Sequence, residues 1–370
     1  MNNKQILIVT SEFPPLPGGI GNHAYHLALF LSKHSYSVEV LADQRSYDLK
    51  NDLEFDQKVS FVVKRIKLRN QRIFMYFDRV IKTYNSIKRS DLVIATGKFS
   101  LWNVAWCTLF LKRPSLAVIH GTEVNFKSFG LRTTVNWALK RFTEVIAVSN
   151  YTKKLVSHLN LKVTVIPNGI NTVVWNKDHL ECQELKGYPV LTTIGRVSSR
   201  KGQLEVIKRL PKLIYDFPEI HYHCIGIPTE AEDFMVIARS LGVESYVTFH
   251  GAVNDKYLKS ALVTTDIFVM LSTESITGDV EGFGIAILEA NALGVPAIGS
   301  KGCGIEDAIA DGITGYLINS DDITSFKQAI HAILAKHERF SKEAITWAKN
   351  HSWECIVKDY IEIIAQYHEN

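Results

Sequence analysis

The residues of this chain best suited to chemistry sit just after short apolar runs. The densest group is Asp279-Val280-Glu281-Gly282-Phe283-Gly284-Ile285-Ala286-Ile287-Leu288-Glu289-Ala290, with seven residues between its two glutamates. Residues 285–292 read as a helix, so Glu281 belongs to the preceding loop and Glu289 lies about two turns in. The amides of Phe283, Gly284 and Ile285 are then free to face an anion, since the first turn of a helix leaves its N–H groups unpaired. A glycosidase pair is disfavoured, because such carboxylates flank the scissile bond from opposite sides. A second group is Gly195-Arg196, followed by Arg200-Lys201-Gly202. A guanidinium at a strand end and an ammonium at a helix start can hold the two phosphates of one diphosphate. Arg200 is expected to be a solvated surface residue.

In the first half, His120-Gly121-Thr122-Glu123 follows the run Leu116–Ile119. This places His120 at a strand's carboxyl end, where an imidazole can donate to a phosphate or sugar oxygen. Earlier still, Ser11–His23 is a Pro- and Gly-rich loop whose glycines, Gly18 and Gly19 among them, allow backbone amides close to an anion. Gly19-Ile20-Gly21-Asn22-His23-Ala24 also fits the dinucleotide pattern G-x-G-x-x-G/A, with Asp43 as a ribose-binding acid. Against that rival, the loop from Ser11 to Gly18 separates the pattern from its strand, whereas a dinucleotide turn follows its strand directly.

Elements that place such residues at strand ends are parallel strands alternating with helices. Strands are expected at 6–10, 37–41, 59–63, 92–95, 116–119, 144–148 and 163–166, and again, after Pro167-Asn168-Gly169, at 190–194, 220–225, 247–250, 267–271, 296–299 and 315–317. Helices are expected at 23–33, from an N-cap at Ser149 through Leu159, and over 341–367. The restart sets a boundary near 170 and an α/β fold of two Rossmann-like doubly wound domains. Ligands of such sheets bind at the carboxyl ends of the strands.

Composition agrees with 370 residues in two globular domains: 46% hydrophobic, 22% charged, mean hydropathy +0.02. Five scattered cysteines form no C-x-x-C pair, so neither a disulfide framework nor a zinc ribbon is expected. The apolar run after MNNKQ is too short for a signal-peptide core, which makes a cytoplasmic location the expectation. Net charge is +4, but residues 1–169 carry 24 Lys/Arg against 11 Asp/Glu, or +13, leaving −9 for the rest. Between Lys58 and Arg89, ten basic residues and one acid interleave with Phe61, Phe74, Tyr76, Phe77 and Tyr84. Such a segment suits either an anionic membrane surface or a solvated face.

Taken in order, these motifs resemble those of the family-four retaining glycosyltransferases, whose two-domain fold is called GT-B. The resemblance spans nearly the whole chain: the Ser11–Gly21 loop, His120-Gly121, Pro167-Asn168-Gly169-Ile170, Gly195-Arg196 with Lys201-Gly202, and the E-x7-E element Glu281–Glu289. It implies an N-terminal acceptor-binding domain (1–169), a donor-binding domain (170–349), and a final helix (about 350–370) crossing back onto the first. It further implies that Arg196 and Lys201 grip the donor diphosphate, Glu289 bonds the ribose, and Glu281 lies beside the donor sugar with Phe283 and Gly284. Gly18 and Gly19 would close over the phosphates, His120 would touch the transferred sugar, and the base would sit near His250, Gly251, Ala252 and Val253. Where many relatives have G-x-G-P, this chain has Gly226-Ile227-Pro228, one glycine fewer beside the base pocket.

The implied activity is retaining transfer of a hexose from a nucleotide diphosphate sugar, GDP-mannose or a UDP-sugar, to a hydroxyl of an envelope glycan or lipid-linked acceptor. No metal or other cofactor is expected, and no nucleic-acid partner. Peripheral attachment to the inner face of a membrane through 58–89 is a further expectation. The alternatives are a nucleotide-sugar epimerase of the same fold, a dinucleotide-dependent dehydrogenase, and a carbohydrate-binding module without turnover.

Overall fold

A computed structural model of the chain describes residues 4–45, 49–178, 180, 182–275 and 278–367. The outermost residues of the expected domains, 1–3 and 368–370, lie outside the described residues. The chain divides into two compact units, Met1–Gly169 together with Trp353–Asn370, and Ile170–Ser352.

In the first unit the strands are β1 (Gln5–Thr10), β2 (Ser37–Asp43), β3 (Val62–Ile66), β4 (Leu92–Thr96), β5 (Ser115–Ile119), β6 (Glu144–Ala147) and β7 (Val163–Val165). They form one parallel seven-stranded sheet in the order β3-β2-β1-β4-β5-β6-β7. The order reverses at β1 and β4, the position where doubly wound sheets open a binding crevice. Connections are α1 (Gly19–Lys33), α2 (Leu49–Asp56), α3 (Arg72–Ile87), α4 (Lys98–Cys107), α5 (Phe129–Leu139) and α6 (Asn150–Leu155). Ile6, Ile8, Ile94 and Val118 are fully buried because central parallel strands are covered on both faces.

Several boundaries differ from the sequence reading, and α1 starts at Gly19, four residues before the expected 23. The expected strand at 59–63 lies instead at 62–66: Phe61 is drawn into an aromatic cluster with Phe13 and Tyr25, and the edge strand begins after it. Its Lys64 and Arg65 are paired with Glu39 and Asp56, both at 2.7 Å. The helix begun by Ser149, whose Oγ accepts the Thr152 amide at 3.0 Å, ends at Leu155 and gives way to a 3-10 turn at Ser157–Leu159.

The second unit has β8 (Val190–Ile194), β9 (His221–Ile225), β10 (Val247–Gly251), β11 (Ile267–Met270), β12 (Ala297–Ser300) and β13 (Gly315–Ile318). These form a parallel six-stranded sheet, β10-β9-β8-β11-β12-β13, with the reversal at β8 and β11. Its helices are α7 (Gln203–Ile207), α8 (Leu210–Leu213), α9 (Ala231–Ser240), α10 (Asp255–Val263), α11 (Ile285–Ala292), α12 (Ile323–Ala335) and α13 (His337–Asn350). Leu191, Tyr222, Val269, Ile298 and Phe326 lie in its core.

The expected single tail helix is broken at His351-Ser352, and the last helix, α14 (Trp353–Gln366), packs in the first unit. Trp353 is buried, its ring stacked on His26 with centroids 5.7 Å apart. A Cβ on Gly169 would stand 2.8 Å from that indole, so the chain passes there only as glycine. Among the described residues no helix is long and apolar enough to cross a membrane.

Candidate functional site

Within the second unit, the loops at the carboxyl ends of β8, β9 and β10 are laced together. Gly195 N–H donates to Ile225, Val197 to Ile227, and Gly226 to Gly251, each at 2.9 Å. A Cβ on Gly226 would lie 2.2 Å from the Gly195 carbonyl oxygen, so the shortened turn Gly226-Ile227-Pro228 retains the glycine that contact requires. Buried Gln203 braces the β8 loop, donating to the Arg196 carbonyl at 3.2 Å and accepting from the Ser198 amide at 3.3 Å. The Arg196 guanidinium is exposed and has no partner among the described residues.

Lys201 runs beside Gly195 and ends on Glu281, Nζ to Oε2 at 2.6 Å. Arg200 is not a free surface cation. Its Nη1 binds the same Glu281 oxygen at 2.9 Å and its Nε lies 3.1 Å from Asp279, contacts that tie the 279–281 loop to the segment after β8. Burial by itself would raise the Glu281 pKa, yet the charges of Lys201 and Arg200 hold it below the ordinary carboxylate value. Glu281 therefore stays ionised and holds two cations in place. Its loop is fixed from behind, because the Gly304 amide donates to the Glu281 carbonyl at 2.9 Å and a Cβ on Gly304 would strike Gly282.

Gly284 caps α11 with φ +90°, and neither its amide nor that of Phe283 finds a backbone acceptor among the described residues. Ile285 opens the helix, so these three positions do form a free N-terminus. The Phe283 ring is buried, leaving only its backbone for a ligand. Glu289 is in the second turn of α11, half-buried and without a hydrogen-bond partner among the described residues. Both ring nitrogens of His250 are engaged, Nε2 with His223 at 3.0 Å and Nδ1 with the Tyr257 hydroxyl at 3.1 Å. The backbone of Gly251, at φ +69° with open space around it, exposed Ala252 and half-buried Val253 remain for a ligand there.

Burial pushes Glu289 up to about 7, with Lys201 pulling back, Asp255 adding to the rise and Lys259 opposing it. A carboxyl whose folded pKa exceeds its unfolded value binds more protons when folded, so it stabilises at low pH. That contribution is lost as pH rises from about 4.5 through about 7. Glu289→Gln should therefore melt higher than the wild type at pH 8 without ligand, with the gap narrowing at pH 5. Calorimetry at the two pH values checks this; a variant equally destabilised at both would refute it.

In the first unit His120 follows β5, and its Nε2 lies 2.8 Å from the hydroxyl of Thr96, the last residue of β4. Burial pushes His120 down to about 4, so the ring is neutral at physiological pH. The Glu123 carboxylate receives the His120 amide at 2.5 Å and shapes this turn from inside. Burial pushes Glu123 up to about 7, partly offset by the His120 amide. Neither Thr96 nor Glu123 was distinguishable in sequence. The only available signal for Glu123 was its spacing of three from His120.

The Ser11–Gly21 loop is tied down by Arg65, which donates to the Pro14 carbonyl at 2.6 Å, and by Arg45, 3.4 Å from the carbonyls of Leu16 and Pro17. A Cβ on Gly21 would lie 3.0 Å from the Glu12 and Phe13 backbone and one on Gly18 would strike the Glu12 carboxylate, while nothing lies within 4 Å of a Cβ on Gly19. The Asp43 carboxylate is paired with Arg79, Nε to Oδ1 at 2.8 Å, so it is not free to bind a ribose as the dinucleotide reading requires. Among the described residues, no three His, Cys, Asp or Glu side chains converge as a metal-ligand set.

Two parallel doubly wound units, one carrying a basic pair and a free helix N-terminus at its strand ends, place an anion-binding group at the carboxyl edge of the second sheet. The family model described as Glycosyltransferase Family 4 matches residues 17–174, and that described as Glycosyl transferases group 1 matches residues 177–350. The chain belongs to this glycosyltransferase family. It is 26% identical over 374 residues to the GDP-mannose-dependent alpha-(1-6)-phosphatidylinositol monomannoside mannosyltransferase of Mycolicibacterium smegmatis, covering 94% of each chain. To the phosphatidyl-myo-inositol mannosyltransferase of Mycobacterium leprae it is 25% identical over 371 residues, covering 94% of this chain and 93% of that one. Its fold matches a glycosyltransferase from Rickettsia africae (TM-score 0.79, 19% identity, all of both chains) and an Anabaena protein crystallised with UDP and glucose (0.77, 18%, 98% and 100%).

Proposed function

We propose that this glycosyltransferase moves a hexose, with retention, from GDP-mannose or a UDP-sugar to a hydroxyl of a lipid-linked or envelope-glycan acceptor. The observation that carries the reading is the set in the second unit: Arg196 unpaired, Lys201 and Arg200 held by Glu281, and the unpaired amides of Phe283 and Gly284. Arg196, Lys201 and the α11 N-terminus take the leaving diphosphate, supplying the charge compensation that a divalent cation supplies elsewhere. Glu289 holds the ribose, and Gly251 and Val253 border the base. The departing phosphate takes the acceptor proton on the front face, and no side chain is assigned as a covalent nucleophile. The printed names of the mycobacterial relatives support mannose and a phosphoinositide-type lipid. The +13 charge of residues 1–169 supports a first unit that meets an anionic membrane through 58–89.

A thermal-shift panel of GDP-, UDP- and ADP-sugars tests the donor, since a ligand that binds only the folded state raises apparent stability. Transfer is expected to persist in excess EDTA, and activity recovered only with magnesium or manganese would overturn metal independence. Release of free nucleotide diphosphate only when acceptor is present separates transfer from epimerisation.

A further inference from the structure

Helices α3, α4 and α5 are neighbours on one face of the first unit, and between them runs a groove of about 780 Å³. Its floor is Phe99, Trp102 and Trp106 of α4, and its walls include Tyr76 and Val80 of α3 and Trp137 of α5. That volume is in the range of small-molecule sites. Beside it the stripe Ile73, Phe77 and Ile81 is exposed by 57–60%, and Phe110, just beyond α4, by 69%. Apolar surface this extensive marks an interaction site rather than ordinary scatter.

Charge identifies the occupant. Residues 58–141 hold 17 Lys/Arg against three acids, of which Asp78 is paired with Arg69 and Glu123 is buried. The basic residues include one pair after each helix: Lys88-Arg89, Lys112-Arg113 and Lys140-Arg141. Parallel α/β connections run all three helices in the same direction, so their C-terminal ends gather at the edge of the sheet opposite His120. Arg113 donates to the Lys88 carbonyl at 3.5 Å, so the pairs after α3 and α4 adjoin, and Arg141 lies over the ring of the lining residue Trp137 at 5.6 Å; the cation within the lining itself, Arg79, is paired with Asp43. An aromatic channel ending in a cationic rim has the two-part chemistry of an anionic amphiphile, hydrocarbon chain in the groove and phosphate at the rim.

We infer that this groove binds one acyl chain of an anionic membrane phospholipid. The site widens the contact surface from the 58–89 segment to the whole α3–α4–α5 face.

The test uses the full chain with vesicles of phosphatidylglycerol brominated along the acyl chains, and with matching phosphatidylcholine vesicles. Bromine quenches tryptophan fluorescence on contact, and three tryptophans line the groove. The wild type should partition onto phosphatidylglycerol at least about tenfold more than onto phosphatidylcholine at low salt, with strong quenching. Thr134 is an exposed groove residue of α5, so Thr134→Phe fills the channel while leaving charge and fold in place. That variant should still sediment with phosphatidylglycerol, melt like the wild type, respond equally to nucleotide sugar, and lose most of the quenching. Quenching as strong as in the wild type would overturn chain insertion, and equal binding to both vesicle types would overturn anionic recognition. A lipid-free dimer abolished by Thr134→Phe would assign the groove to a second copy of the chain and overturn the inference outright.

Discussion

Lys201→Ala should lower kcat/KM for the nucleotide-sugar donor by about 30- to 1000-fold while the protein stays folded. Charge on the diphosphate grows as the glycosidic bond breaks, so an ammonium aimed there contributes more in the transition state than in the ground state. Removing one such preorganised contact typically costs about 2–4 kcal/mol, and each 1.36 kcal/mol is tenfold in rate. The structure adds a condition, since the same Nζ is 2.6 Å from Glu281, with Arg200 on the same oxygen at 2.9 Å. In the variant Arg200 remains on Glu281, so the loop should hold and the melting temperature should change little. Glu281→Gln removes the anion from both cations, and should lower kcat more than it alters donor affinity. Glu289→Gln should instead raise the donor KM, because ribose contacts are the same in ground and transition states. Steady-state kinetics with varied donor, alongside melting curves, distinguish these outcomes. Near-normal turnover of Lys201→Ala would remove the diphosphate assignment.

Gly202→Ala should destabilise the second unit by about 3 kcal/mol or more, and should abolish donor binding in whatever fraction stays folded. Two penalties combine at this residue. Its φ is +81°, a region in which an L side chain is strained, and the added Cβ would sit 2.1 Å from the Leu271 carbonyl oxygen. That oxygen belongs to the backbone just after β11, which cannot withdraw without disturbing the sheet. The adjoining loop is joined to the same place, with the Thr273 amide donating to the Arg200 carbonyl at 3.1 Å. Relief of the clash would therefore shift Arg200 and Lys201 together. Denaturant melts of Gly202→Ala against Gly242→Ala give the comparison, because Gly242 also has positive φ, +69°, but nothing within 4 Å of its Cβ. Equal losses for the two would mean that backbone strain accounts for the whole effect and that the close approach to Leu271 contributes nothing.

Local order along the chain was enough to determine the two-unit α/β plan. Central parallel strands are buried on both faces, so Ile6–Val9, Leu92–Ala95 and Ile267–Met270 appear as unbroken apolar runs whatever surrounds them. Helix α11 was equally legible, at Ile285–Ala292, because Gly284 ends the loop and the apolar pattern begins at once. Edge strand β3 was not, since a half-covered strand loses the continuous signal and Phe61 has a tertiary partner instead. Arg200 shows the same limit at the site. In sequence it is one more cation before Lys201, and only the approach of Asp279 and Glu281, about eighty residues away, makes it part of the cluster. Glu123 needed the fold as well, because the burial that lifts it to about 7 comes from packing. Residue types and spacing determined which chemistry was available. Which charges meet, which glycines carry close contacts and which aromatic face stays uncovered depend on pairs far apart in the chain, and only the tertiary structure decided those.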